Sequence, residues 1–158
     1  FDVRSKTYPV FRTHEFSWSE HGHSFVARVD AAFATLLSDQ FAHTFELTYH
    51  RFSNTHDHVN TLPFRRGVWY YVQRIYGVCN DDYDYRETNV YLNRPVKYFC
   101  KKVACYPEVL TDTDFAHFNT LLDPSEKCHV ALLSLEARKQ ATAMYGLRAL
   151  MYALQAEA

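Results

Sequence analysis

The sequence predicts an all-α fold. Apolar side chains recur at three- and four-residue steps through several long stretches, the period of one helix face. Helix start signals stand just ahead of those stretches, and no set of four alternating strands can be found. The length of 158 residues suits one domain, read here as a helical unit over 14–158 preceded by an irregular arm over 1–13. Ser17-Trp18-Ser19-Glu20 has the form of a capping box. Behind it Phe25, Val26, Val29, Phe33, Leu36, Leu37, Phe41 and Phe45 trace an apolar face, and Asp30 is placed to restart the helix midway. Residues 53–60 are polar and turn-like. Thr61 and Pro63 then open a run through Phe64, Val68, Trp69, Val72, Ile75 and Tyr76, which Gly77 ends. An acidic, tyrosine-rich loop follows at 80–85. Shorter helices are predicted at about 86–94, 96–104 and 112–122, the last capped by Thr111 with Asp114. Asp123-Pro124-Ser125-Glu126 combines a cap, a first-turn proline and a third-position carboxylate. It launches the longest helix, with Ala131, Leu132, Leu135, Met144, Leu147, Leu150, Met151 and Leu154 as its apolar face.

Composition removes whole classes of function. With 47% apolar residues and 17 basic against 18 acidic side chains, the chain is neither a disordered tail nor a charged arm for nucleic acid or membranes. No apolar run approaches the roughly 20 residues of a membrane helix. Only 4 glycines argue against a propeller or a Gly-rich phosphate loop. Residue 1 is Phe and no signal-peptide pattern follows it, so the chain is read as a piece of a longer, soluble protein. Cys79, Cys100, Cys105 and Cys128 include no Cys-x-x-Cys pair and read as reduced intracellular thiols.

Four constellations could carry chemistry. His21/His23 and His56-Asp57-His58 lack the third and fourth convergent donors a metal needs, so no metal or other cofactor is expected. Cys128, early in a helix beside His129, could be an activated thiol, although free cysteine is usually a small buried apolar group. Arg65 and Glu126 each follow a helix start. A guanidinium grips a carboxylate and a carboxylate holds an ammonium, so together they could receive a free amino acid. The plainer reading makes Glu126 a cap and Arg65 a structural charge. Asp81 and Asp82, interleaved with Tyr83 and Tyr85, suit a protein contact as well as they suit a solvated loop.

Several strings resemble one known family. Phe16-Ser17-Trp18-Ser19-Glu20-His21-Gly22, Leu47-Thr48-Tyr49, Arg65-Arg66-Gly67-Val68-Trp69, Asp81-Asp82-Tyr83-Asp84-Tyr85, Lys102-Val103-Ala104-Cys105-Tyr106-Pro107-Glu108 and the stretch from Ser125-Glu126-Lys127 through Leu135-Glu136-Ala137-Arg138 look like the C-terminal domain of the sestrins. The resemblance covers about residues 14–152. It implies a single helical domain of the alkylhydroperoxidase type, from a stress-induced, cytoplasmic protein with the nucleus as a second location. It further implies that the peroxidase half is N-terminal and absent here, so that this half is no enzyme. Its implied partners are a free amino acid, leucine or a similar one, the GATOR complex through which TOR signalling is restrained, and the missing N-terminal half.

Carried over by position, the resemblance gives Glu126 the ligand ammonium and Arg65 the carboxylate. Thr48, Tyr49, Thr61, Phe64 and His129 become pocket and lid positions. Asp81, Asp82 and Tyr83 become partner-binding residues. The chain departs from the leucine-binding pattern at four places: Arg51 stands for a lid threonine, Phe64 for a leucine, Asn119 for a tryptophan and Leu122 for a phenylalanine. A pocket built this way could prefer another side chain, bind leucine weakly or bind nothing: the head-group residues are kept, but leucine specificity does not follow. Two readings from other classes remain: a peroxidase-like domain using Cys128 or Cys105, and a ligand-free interaction module.

Overall fold

The computed structural model describes residues 9–46, 51–52, 56–57 and 59–157. Helices dominate. They are α1 (His23–Ala27), α2 (Ala31–Glu46), α3 (Leu62–Ile75), α4 (Glu87–Tyr91), α5 (Arg94–Cys105), α6 (Asp112–His117) and α7 (Pro124–Ala156). The described residues also form a π-helical turn (Trp18–Gly22), a 3-10 turn (Pro107–Val109) and four two-residue strands: β1 (Phe11–Arg12), β2 (Arg51–Phe52), β3 (His56–Asp57) and β4 (Val78–Cys79). Here β1 lies parallel to β4, and β2 lies antiparallel to β3.

The start signals act as their chemistry requires. Ser17 Oγ accepts from the Glu20 amide at 3.2 Å, but the turn it opens, Trp18–Gly22, is π-helical before it runs into α1. Asp30 Oδ1 accepts from the Phe33 amide at 2.9 Å and restarts the chain as α2. Asp123 and Glu126 form a reciprocal box, each carboxylate accepting the other's amide proton at 2.9 Å. Gly77 ends the run after α3 with φ 83°, a left-handed conformation that only glycine adopts without strain. Thr61 behaves differently. Its side chain makes no cap bond, and Asn60 Oδ1 takes the Leu62 amide at 3.0 Å instead.

The core is centred where α3 crosses α7. Val68, Val72 and Ile75 are buried from α3; Val130, Leu133, Ala137, Ala141 and Met144 are buried from α7. This overturns the face expected for α7: Leu132, Leu135, Leu150 and Leu154 are exposed, and of the predicted set only Met144 is fully buried. The crossing uses small residues, Ser134, Ala137 and Ala141, because two helix axes approach closely only where side chains are short. Val29, in the turn before α2, and Phe33 and Leu36 on it likewise point outward, and Ala34 and Phe41 face the interior. Periodicity alone could not choose between two apolar faces.

α5 closes the other side through Val96, Phe99, Cys100, Val103 and Ala104. The predicted helix over 112–122 stops at His117. Phe118 turns in to stack on Phe99, with ring centroids 3.9 Å apart, and Asn119 Oδ1 takes the Leu121 amide at 2.9 Å, diverting the backbone. The described part of the arm, residues 9–13, carries β1. Phe11 is buried, Tyr145 donates to the Pro9 carbonyl at 2.7 Å, and Arg148 pairs with Glu15 at 2.7 Å, so β1 is held between β4 and α7.

Candidate functional site

The C-terminal end of α2 leaves carbonyls that no further helical turn can satisfy. Two cationic or donor side chains from other helices meet them. Arg65, in the first turns of α3 and buried, donates from Nη1 to the Phe45 carbonyl at 2.6 Å and from Nε to Thr61 Oγ1 at 3.1 Å. Its guanidinium lies 5.2 Å from the Phe45 ring centroid and 3.5 Å from Glu46, whose carboxylate is mostly exposed. His129, buried on α7, contacts the Thr44 carbonyl through Nε2 at 2.7 Å. A carbonyl only accepts, so that nitrogen carries the proton. Burial holds the His129 pKa below its ordinary value, and Arg65 pushes it the same way, against the pull of the Thr44 carbonyl. At neutral pH the imidazole is therefore an uncharged donor.

Arg65, Thr61 and His129 thus converge on one helix end. Glu126 lies one turn before His129 on the same side of α7, half-buried, with one oxygen committed to its own cap. The guanidinium's Nη2 meets no acceptor among the described residues. The arrangement is a fixed cation facing a carboxylate-bearing helix, with an aromatic wall from Phe45. Phe64 is half-buried against the core beside it. Thr48 and Tyr49 lie outside the described residues, as does the side chain of Arg51. Asn119 is half-buried and Leu122 buried. Lys127 was not foreseen: it is buried, donates to the Ala116 carbonyl at 2.6 Å and sits 5.8 Å from the Phe118 ring. Its place between Glu126 and Cys128 in a helix start was the only signal.

The acidic loop divides. Asp81 is a clamp for the arm: its carboxylate accepts from Arg12 Nε, from Thr13 Oγ1 at 3.2 Å and from the His14 amide at 2.8 Å, and it meets His14 Nδ1 at 2.9 Å. The Arg12 guanidinium and the His14 amide hold this carboxyl well below the usual carboxylate range. Asp82 instead is exposed, with its amide bonded to Asn80 Oδ1 at 2.9 Å. Tyr83 is buried, 4.8 Å from the Tyr70 ring and 5.2 Å from Tyr85, so it shapes the loop more than it meets solvent. Of the cysteines, Cys100 is buried and its thiol is pushed up to about 12, Cys105 is buried, Cys79 is half-buried and Cys128 is exposed. All four are free thiols. Among the described residues no three metal-ligating side chains gather, and no helix is long and apolar enough to cross a membrane.

Fold and site define the class: a single all-helical domain with a buried guanidinium and a neutral imidazole at one helix end. Within that class the chain belongs to the sestrin family. The family described as PA26 p53-induced protein (sestrin) matches residues 1–154. A sestrin homolog of Dictyostelium discoideum is 46% identical over 151 residues, covering 96% of this chain and 25% of that protein. Sestrin-2 of Homo sapiens is 41% identical over 142 residues, 90% of this chain and 29% of its own length, and the sestrin homolog of Drosophila melanogaster is 41% identical over 142 residues, 90% and 28%. The chain spans between a quarter and a third of these relatives.

Proposed function

We propose that this chain is the regulatory, non-catalytic part of a stress-responsive sestrin, which binds a free amino acid and passes its occupancy to a protein partner. The observation that carries the reading is the buried Arg65 guanidinium with an uncommitted Nη2, set beside His129 and one turn from Glu126. In this reading Arg65 receives the ligand carboxylate, Glu126 the ammonium, and Thr48, Tyr49, Thr61, Phe64 and His129 line or cover the site. A charge left unpaired in a partly dry pocket is costly, so such a pair discriminates strongly for a zwitterion. Phe64, Asn119 and Leu122 fit a side-chain pocket of a different shape from a leucine pocket. The partner is the GATOR complex, with release on ligand binding, restraint of TOR signalling without it, and a cytoplasmic location. Asp82 presents the charge to that partner while Asp81 secures the loop that carries it.

Calorimetry with a panel of free amino acids tests this on the wild type, Arg65→Met and Glu126→Gln. Glutamine keeps an acceptor for the Asp123 amide and removes the charge, so the helix start survives. One or more amino acids should bind below millimolar, with loss of at least about tenfold in each variant. Equal binding by Glu126→Gln, or no binding by the wild type, overturns the reading. Linkage requires the partner and the amino acid to weaken one another by the same factor.

A further inference from the structure

A cavity of about 500 Å³ opens on the opposite stretch of α3, lined by Trp18, Trp69, Gln73 and Gln140 and rimmed by Glu20, Asp81 and Asp82. Trp69 and Gln73 stand one and two turns beyond Arg65 on the same helix, and none of Arg65, Thr61, Phe45 and His129 lines this cavity. Its amides have fixed orientations. The Trp69 indole can only donate, and it meets Gln140 Oε1 at 3.2 Å. Gln73 Nε2 donates to that same oxygen at 2.6 Å. Gln73 Oε1 is therefore turned away from Gln140. No hydrogen bond among the described residues reaches it, and although Gln73 is only 2% exposed, this oxygen is not sealed from solvent and opens on the cavity it lines. An acceptor that opens on a cavity and has no protein donor is available to a ligand N–H.

The carboxylates around the cavity that lack an ion pair among the described residues leave it negative. No lysine or arginine lines it. The Asp81 charge is answered by Arg12 and His14, but Glu20 and Asp82 have no ion pair among the described residues. Trp18, Trp69 and Tyr70 supply aromatic surface. Acceptors both deep and at the rim, with indole rings between, fit a flat cation that carries donors on several edges. We propose that this cavity binds a guanidinium group, its N–H groups donating to Gln73 Oε1 and its charge met by Glu20 and Asp82. The group is either a small free guanidine or an arginine side chain offered by a partner protein.

The chain has 2 tryptophans and both line this cavity, so their fluorescence reads occupancy directly. The probes are agmatine, a blocked peptide with one arginine, and the same peptide with citrulline, which keeps the shape and loses the charge. None has a free amino-acid head group, so Arg65→Met should leave their binding unchanged while abolishing amino-acid binding. Agmatine or the arginine peptide should bind below millimolar, the citrulline peptide at least about tenfold more weakly, and Gln73→Leu should weaken binding by about tenfold. Binding by agmatine alone assigns a free guanidine, and binding by the peptide alone assigns a partner's arginine. If Gln73→Leu unfolds, the surface pair Glu20→Gln/Asp82→Asn should show a loss of similar size. Citrulline binding as tight as arginine, unchanged binding in both variants, or no response to any probe at about 10 mM overturns the proposal.

Discussion

Replacing Arg65 by methionine removes the guanidinium that holds the end of α2 while nearly preserving its apolar stem. The charged hydrogen bond to the Phe45 carbonyl is worth about 1.5–3 kcal/mol and the Thr61 bond about 1 kcal/mol. The contact with the Phe45 ring adds about 0.5–1 kcal/mol. Glu46 is largely solvated and adds at most about 0.5 kcal/mol. The gross loss is about 3–5 kcal/mol, offset by relief of the desolvation that a buried cation carries. A net destabilisation of about 1–3 kcal/mol is expected, which for a domain of this size lowers the unfolding midpoint by about 3–10 °C. Thermal and urea unfolding of wild type, Arg65→Met and Arg65→Lys measure it. Lysine keeps the charge and one donor and should fall between the two. A cycle with Thr61→Val should show coupling of about 1 kcal/mol, since the Arg65–Thr61 bond is lost in either single variant. A methionine variant as stable as the wild type, with no coupling to Thr61, would refute the claim that the guanidinium ties α3 to α2.

His129 should make stability depend on pH. Its folded pKa is lowered, so its contribution is complete above the ordinary imidazole range and is lost as pH falls through about 6.5 towards the folded value; urea midpoints should drop over that window and flatten in His129→Gln. Asp81 runs with the same sign but lower: its carboxyl is held down, so its clamp should outlast ordinary carboxylates on acidification, and Asp81→Ala should speed hydrogen exchange at Phe11 and Thr13 where Asp82→Ala does not. Ala141→Leu forces bulk into the α3–α7 crossing and should cost about 1–3 kcal/mol or more by denaturant unfolding. Gly77→Ala meets φ 83° and should cost about 1–2 kcal/mol in the same assay.

The local chemistry was legible because it is carried by neighbours in sequence. Asp123 and Glu126 are three residues apart, and their reciprocal cap needs nothing beyond that spacing. Asp30 and Gly77 mark their boundaries in the same way. The sestrin motifs are equally local strings, and they sufficed to identify the family. Arg65 was legible as a candidate, yet its environment was not: the carbonyl it meets is 20 residues earlier, and the one His129 meets is 85 residues earlier.

The sequence by itself determined that the chain is helical, where most helices begin, and to which family it belongs. Tertiary structure alone decided which helix faces are inside, because α2 and α7 carry apolar residues on more than one side and the close α3–α7 crossing selects the small ones. It alone turned Asp81 inward onto Arg12 and left Asp82 in solvent, although the two are adjacent and chemically identical. It also joined Trp69, Gln73 and Gln140 into one oriented amide network, across a separation of 71 residues that no spacing rule spans. Hydrogen bonds and caps act over a few residues and can be read in order; packing and convergence depend on which surfaces the folded chain brings together.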